Sequence, residues 1–116
     1  MSEQPTRAWR FYLDDMIGFA EKVIAYTDRL DQPAFVASGL NYDATLRNLE
    51  LIGEAATHLP DTVRAANPQV PWRMIIATSN RLIHGYFDID TEIVWKTVSK
   101  ELPDLLPRLQ RLVGKP

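Results

Sequence analysis

The stretch Asn41-Tyr42-Asp43-Ala44-Thr45-Leu46-Arg47-Asn48-Leu49-Glu50-Leu51-Ile52-Gly53-Glu54-Ala55-Ala56-Thr57-His58 carries two stripes at helical spacing. Tyr42, Leu46, Leu49, Ile52 and Ala56 recur every three or four residues, as the buried face of a helix requires. Asp43, Arg47, Glu50, Glu54 and His58 form the opposite stripe, each one turn from the next. Asn41 is suited to cap the start, because its side chain can accept from an otherwise unpaired backbone N–H. Leu59-Pro60 closes the run, since a proline removes a helical donor and crowds the preceding turn. The polar stripe reads either as a solvated face or as a buried polar layer or partner surface.

The same spacing extends in both directions. Upstream, Trp9, Leu13, Ile17, Ala20, Ile24 and Leu30 predict a helix from about Thr6 to Leu30, ended by a turn at Asp31–Pro33. Downstream, Asp61 to Ala66 reads as a short helix, followed by the stiff connector Asn67-Pro68-Gln69-Val70-Pro71. Pro71-Trp72 suits a first helical turn, and that helix runs to His84 with Gly85 as its stop. Asp90 can cap a last helix reaching about Val113, which buries Ile93, Val94, Val98, Leu102 and Leu105 or Leu106 and is bent by Pro103 and Pro107. Strand-type alternation is missing. The expected fold is all-α: an up-and-down bundle of four main helices plus a short one, occupying residues 1–116 as a single domain.

Composition narrows the function classes. A chain of 116 residues, 46% hydrophobic and 24% charged, has the balance of a globular protein. With no cysteine, thiolate metal sites, disulfides and cysteine nucleophiles are excluded. Neither a basic-then-apolar leader nor an apolar run of membrane-spanning length is present, so a cytoplasmic protein is expected, without membrane association. A net charge of −2 argues against broad electrostatic capture of nucleic acid but leaves room for a local basic patch. Nine of the thirteen basic residues are arginine, the better residue for forked contacts to phosphate.

Chemistry-bearing residues concentrate in Ser79-Asn80-Arg81-Leu82-Ile83-His84-Gly85-Tyr86. On a helix, Asn80 and His84 lie one turn apart on one face, with Arg81 beside His84. An imidazole flanked by an amide and a guanidinium has the parts for phosphodiester cleavage. The imidazole takes the 2′-hydroxyl proton, and cationic donors hold the phosphate as charge builds. RNA supplies its own nucleophile, so neither metal nor cofactor is required. No HExxH or comparable metal spacing occurs, and the glycines form no phosphate-cradling loop. The bland alternative for His84, as for His58, is a residue that caps a helix end.

Three blocks together resemble HepT-type HEPN-domain toxins: Arg47-Asn48-Leu49-Glu50-Leu51-Ile52-Gly53-Glu54-Ala55-Ala56, then Val70-Pro71-Trp72-Arg73, then Asn80 to Asp90 with Val94-Trp95. The likeness runs in order from about residue 10 to residue 110. It implies a homodimeric HEPN-like helical bundle acting as a metal-independent ribonuclease on tRNA or mRNA. It also implies a minimal nucleotidyltransferase antitoxin that adds AMP to the tyrosine two residues after the motif histidine. Carried over, His84 is the general acid or base, Tyr86 the modified residue, and Asn80 a phosphate- or histidine-supporting group. Arg81, Arg73 and Arg47 are then candidates for contacts to RNA.

One position departs from the pattern. The family motif is an arginine, four to six intervening residues, then a histidine, and the position five before His84 holds Ser79. A serine hydroxyl cannot reach a phosphate shared with His84, and losing one charged transition-state contact costs about 10²–10³ in rate. The resemblance therefore implies a strongly impaired nuclease. Whether the serine is engineered or natural stays open. Two alternatives stand beside the enzyme: a catalytically silent HEPN module that binds RNA, a nucleotide or its antitoxin, and a purely structural dimerising bundle.

Overall fold

The computed structural model describes residues 6–85 and 89–114. Among these there is no strand; the elements are α1 (Thr6–Thr27), α2 (Gln32–Ala37), α3 (Gly39–Thr57), α4 (Asp61–Ala66), α5 (Trp72–His84), α6 (Thr91–Lys96), a π-helical turn (Thr97–Glu101) and α7 (Leu102–Leu112). The all-α expectation holds. No helix among the described residues is long and apolar enough to cross a membrane.

Helix α3 is the centre of the molecule, with α1 packed along one flank and α5 along the other, while α7 closes against α1. Its apolar stripe is buried through Leu49, Ile52, Ala55 and Ala56, which meet Leu13, Met16, Ile17, Ala20 and Val23 of α1 in one core. The polar stripe is a solvated face: Asp43, Arg47, Glu54 and His58 are exposed. Arg47 pairs with Glu50 at 3.3 Å, one turn on. A buried polar layer is thereby excluded.

Three boundaries differ from the sequence reading. First, α3 begins at Gly39 behind Ser38 rather than at an Asn41 cap. Second, α1 stops at Thr27, whose hydroxyl donates back to the Val23 carbonyl at 2.9 Å, so Leu30 lies beyond it. Third, Asp31–Pro33 is not a plain turn but the start of α2. The Asp31 carboxylate accepts from the Ala34 N–H at 3.0 Å, and proline occupies the first helical turn. This short helix carries Phe35 into the core, fully buried, with ring centroids 5.3 Å from Tyr42 and 5.4 Å from Trp95. It thus fastens α3 to α6.

The last helical stretch is broken as its prolines demand, by widening. Pro103 offers no N–H to the Ser99 carbonyl, and its ring crowds that carbonyl. The chain answers with the π turn at Thr97–Glu101, which ends two residues before the proline. Within and beside the turn, Thr97 donates to the Ile93 carbonyl at 2.9 Å and Ser99 to the Trp95 carbonyl at 2.7 Å. Pro107 lies inside α7.

The bundle is closed on three sides and open on the fourth. Neither α6 nor α7 makes extensive contact with α5. Leu49 and Ile52 of α3 floor the gap, Ile75 and Thr78 of α5 form one wall, and Thr97, Leu102 and Leu105 form the other. Met74 of α5, 53% exposed, also lines the gap, and Ile93 of α6, 48% exposed, stands beyond it.

Candidate active site

Helix α5 carries the candidate residues, and its fixing begins at the connector before it. The Trp72 ring is buried, and its Nε1–H donates to the Asn67 carbonyl at 2.9 Å. From α7, Arg108 donates to the Gln69 carbonyl at 2.7 Å while pairing with Asp104 at 3.0 Å. The loop that delivers α5 is therefore tied to that helix at Asn67 and to α7 at Gln69. At its exit the Gly85 N–H closes on the Arg81 carbonyl at 2.8 Å. The Gly85 backbone, at φ −125°, is not left-handed as a glycine stop would suggest. A Cβ there would instead meet the Arg81 carbonyl at 3.1 Å.

Trp72, Ile75, Ser79 and Leu82 face inward on α5, at three-to-four spacing. Arg73, Ala77, Asn80, Arg81 and His84 make up the solvent face. At the C-terminal end of that face opens a cleft of about 480 Å³. Asn80, Arg81 and His84 line it from α5, and Asp90, Ile93, Val94 and Thr97 line it from the opposite wall. Three of the sequence-derived candidates are thus brought to one cleft. Asp90 caps α6 by accepting from the Glu92 N–H at 2.9 Å. The cleft also runs on into the open side of the bundle, since Leu49, Thr78 and Thr97 belong to both.

Ser79 lies elsewhere. It is 3% exposed and turned into the α3–α5 contact, where its hydroxyl donates to the Glu50 carbonyl at 2.8 Å. Gly53 faces it so closely that a methyl group on Gly53 would overlap the Ser79 Cβ, come 2.6 Å from its Oγ and meet the Ile75 carbonyl at 3.1 Å. The serine therefore makes a packing contact and presents nothing to the cleft. Its phase was legible, because position 79 shares a helical stripe with Trp72, Ile75 and Leu82; the identity of its partner was not.

The remaining candidates separate. Arg73 lines a second, shallower depression of about 800 Å³ with Asp61, Arg64 and Trp72, and Asn80 borders both depressions. Arg47, on the outer face of α3, lines neither. Tyr86, the expected modified residue, lies outside the described residues. His58 ends α3 and stacks on Tyr12, with centroids 4.5 Å apart and planes 13° from parallel, as a helix-end residue rather than a cleft residue. Among the described residues no cluster of three His, Cys, Asp or Glu side chains could hold a metal ion. A residue the sequence reading left out of the site is Asp90, placed across the cleft from Arg81. It also joins Asp43 in raising the Tyr42 phenol above its ordinary pKa, although partial burial of the ring is the larger cause.

Comparison with known proteins bears on this arrangement. Residues 16–112 match the family described as HepT-like, ribonuclease HepT-like. The "Probable ribonuclease HepT" of Thermococcus cleftensis is 31% identical over 106 residues, covering 91% of this chain and 96% of that protein. A "Putative RNase" of Caldanaerobacter subterraneus subsp. tengcongensis is 33% identical over 106 residues, covering 91% of this chain and 95% of its own length. Another, from Methanocaldococcus jannaschii, is 34% identical over 105 residues, covering 90% and 94% respectively. No solved structure matches the chain. With a three-sided helical bundle, a histidine-bearing cleft at the end of α5 and a match over nearly its whole length, the chain belongs to the HepT-like ribonuclease family of HEPN proteins.

Proposed function

We propose that the chain is the toxin of a toxin–antitoxin pair, built as a metal-independent endoribonuclease and disarmed at Ser79. The observation that carries this reading is the meeting of Asn80, Arg81 and His84 in one solvent-open cleft. His84 takes the proton of a ribose 2′-hydroxyl, whose oxygen then bonds to the adjacent phosphorus as the bond to the 5′-oxygen breaks. The leaving 5′-oxygen receives a proton from the protonated imidazole of a second copy. Arg81 and Asn80 hold the phosphate oxygens while charge accumulates. The RNA target is tRNA or mRNA.

The second copy docks along the open side of the bundle. Supporting this are an apolar floor at Leu49 and Ile52, exposed Met74 and Ile93, and the continuity of that furrow with the His84 cleft. A minimal nucleotidyltransferase antitoxin neutralises the toxin by adding AMP to Tyr86. The buried, hydrogen-bonded position of Ser79 supports the second reading, a silent module that binds RNA or its antitoxin, because no cation reaches the cleft from there.

Cleavage of total RNA in EDTA separates the two. The proteins compared are the unmodified chain, Ser79→Arg, and Ser79→Arg combined with His84→Ala. Cutting by Ser79→Arg alone, about 10²–10³ faster than the unmodified chain, supports the disarmed nuclease. Because position 79 is buried against Gly53, each protein is first shown to be folded by circular dichroism. Absence of cutting by all three folded proteins then contradicts the disarmed nuclease and leaves the binding module.

A further inference from the structure

We infer that the depression between α4 and α5 is a subsite for the backbone of single-stranded RNA, continuous with the His84 cleft at Asn80; this rests on the ribonuclease reading.

The chain as a whole carries a net charge of −2, yet α5 contains two arginines, a histidine and no carboxylate from Trp72 to His84. Arg73 and Arg81 are both exposed, and no ion pair engages either among the described residues. Among the described residues, one carboxylate lines each depression: Asp61, which pairs with Arg64, and Asp90, which caps α6. The solvent face of α5 is therefore a cationic strip on an acidic protein.

Shape then matches a strand. Arg64 and Arg73 line the first depression, Arg81 and His84 the second, and Asn80 lines both. From position 73 to position 84 the helix rises about 16 Å at 1.5 Å per residue. That distance spans roughly three to five nucleotides of a strand. A phosphate at His84 thus leaves the flanking backbone over Arg73, whose planar fork suits phosphate oxygens. The Trp72 indole is buried and hydrogen-bonded to Asn67, so it offers no stacking face. Recognition in this subsite is therefore of backbone rather than of base. A duplex would present two rigid strands to a track one helix wide, so the single strand is the fitting occupant.

The test is fluorescence anisotropy with a labelled mixed-sequence single-stranded RNA of about a dozen nucleotides in EDTA, titrated at several salt concentrations. The unmodified chain is compared with Arg73→Gln and with Lys22→Gln on α1 as the control. Arg73→Gln is expected to bind roughly fivefold more weakly and to flatten the salt dependence by about 0.7 in log–log slope, the loss of one phosphate contact to a single strand. Lys22→Gln should leave both unchanged. Equal affinity and equal slope for Arg73→Gln and the unmodified chain overturn the subsite while leaving RNA binding at His84 intact. No binding by any form overturns the ribonuclease reading as well. A duplex DNA of the same length bound as tightly as the RNA, and with the same loss in Arg73→Gln, overturns the single-strand assignment.

Discussion

The two flanks of α5 are built on opposite plans. Toward α3, glycine meets serine, the helices approach until no methyl group fits at Gly53, and a serine hydroxyl is spent on a neighbouring backbone carbonyl. Toward α6 and α7 the same helix faces an unfilled furrow, with Met74 and Ile93 left in solvent. One flank fixes the helix and the other leaves it available. On the proposed function, a helix that presents Asn80, Arg81 and His84 to RNA needs both properties: a rigid attachment for geometry and an unoccupied side for access.

Breaking the closed flank has the largest expected effect. Gly53→Ala pushes its new methyl into the Ser79 Cβ, which cannot yield without moving the α5 backbone. A loss of about 3 kcal/mol, at the upper end for overpacking, is expected in urea unfolding followed by circular dichroism. Ser79→Ala keeps the packing and removes only the bond to the Glu50 carbonyl, so a loss of about 1 kcal/mol is expected by the same measurement. If Gly53→Ala costs no more than Ser79→Ala, the close approach does not fasten α5.

The open flank should respond differently. Ile93→Asp, at an exposed position in the first turn of α6, is expected to change the stability of the folded chain by no more than about 0.5 kcal/mol. It is expected instead to weaken self-association. Smaller still is the effect of pH through Tyr42. Folding raises the pKa of this phenol, by burial and then by Asp43 and Asp90. Its neutral form therefore favours the fold fully below the ordinary tyrosine pKa of about 10, and the contribution fades as pH rises through the raised value. Thermal unfolding across alkaline pH should show this loss in the unmodified chain and a shallower one in Tyr42→Phe.

The helical face of α3 and the extents of α4 and α5 were legible because local rules settle them: stripes at three-to-four spacing, a proline at entry, a glycine at exit. The pairing of Asn80 with His84 was legible for the same reason. What escaped depends on contacts distant in sequence. The cap at Asp31 and the proline after it are sufficient signals for α2, but its purpose, burying Phe35 against Tyr42 and Trp95, is visible only in the folded chain. The burial of Ser79 against Gly53 joins positions 26 residues apart, and no spacing rule connects them. The π turn is the response of a continuing helix to Pro103, where the sequence indicated a bend without its form. Arg73 was named from its residue type alone; the depression it lines is made by α4 and the connector together.

The proposal that the open flank receives a second copy, completing the cleft at His84, is the point on which the account turns. Sedimentation velocity at micromolar concentration tests it most directly, with the unmodified chain and Ile93→Asp run side by side. A dimer for the first and a monomer for the second is the result expected. A monomer for the unmodified chain, or a dimer indifferent to Ile93→Asp, would contradict the shared cleft.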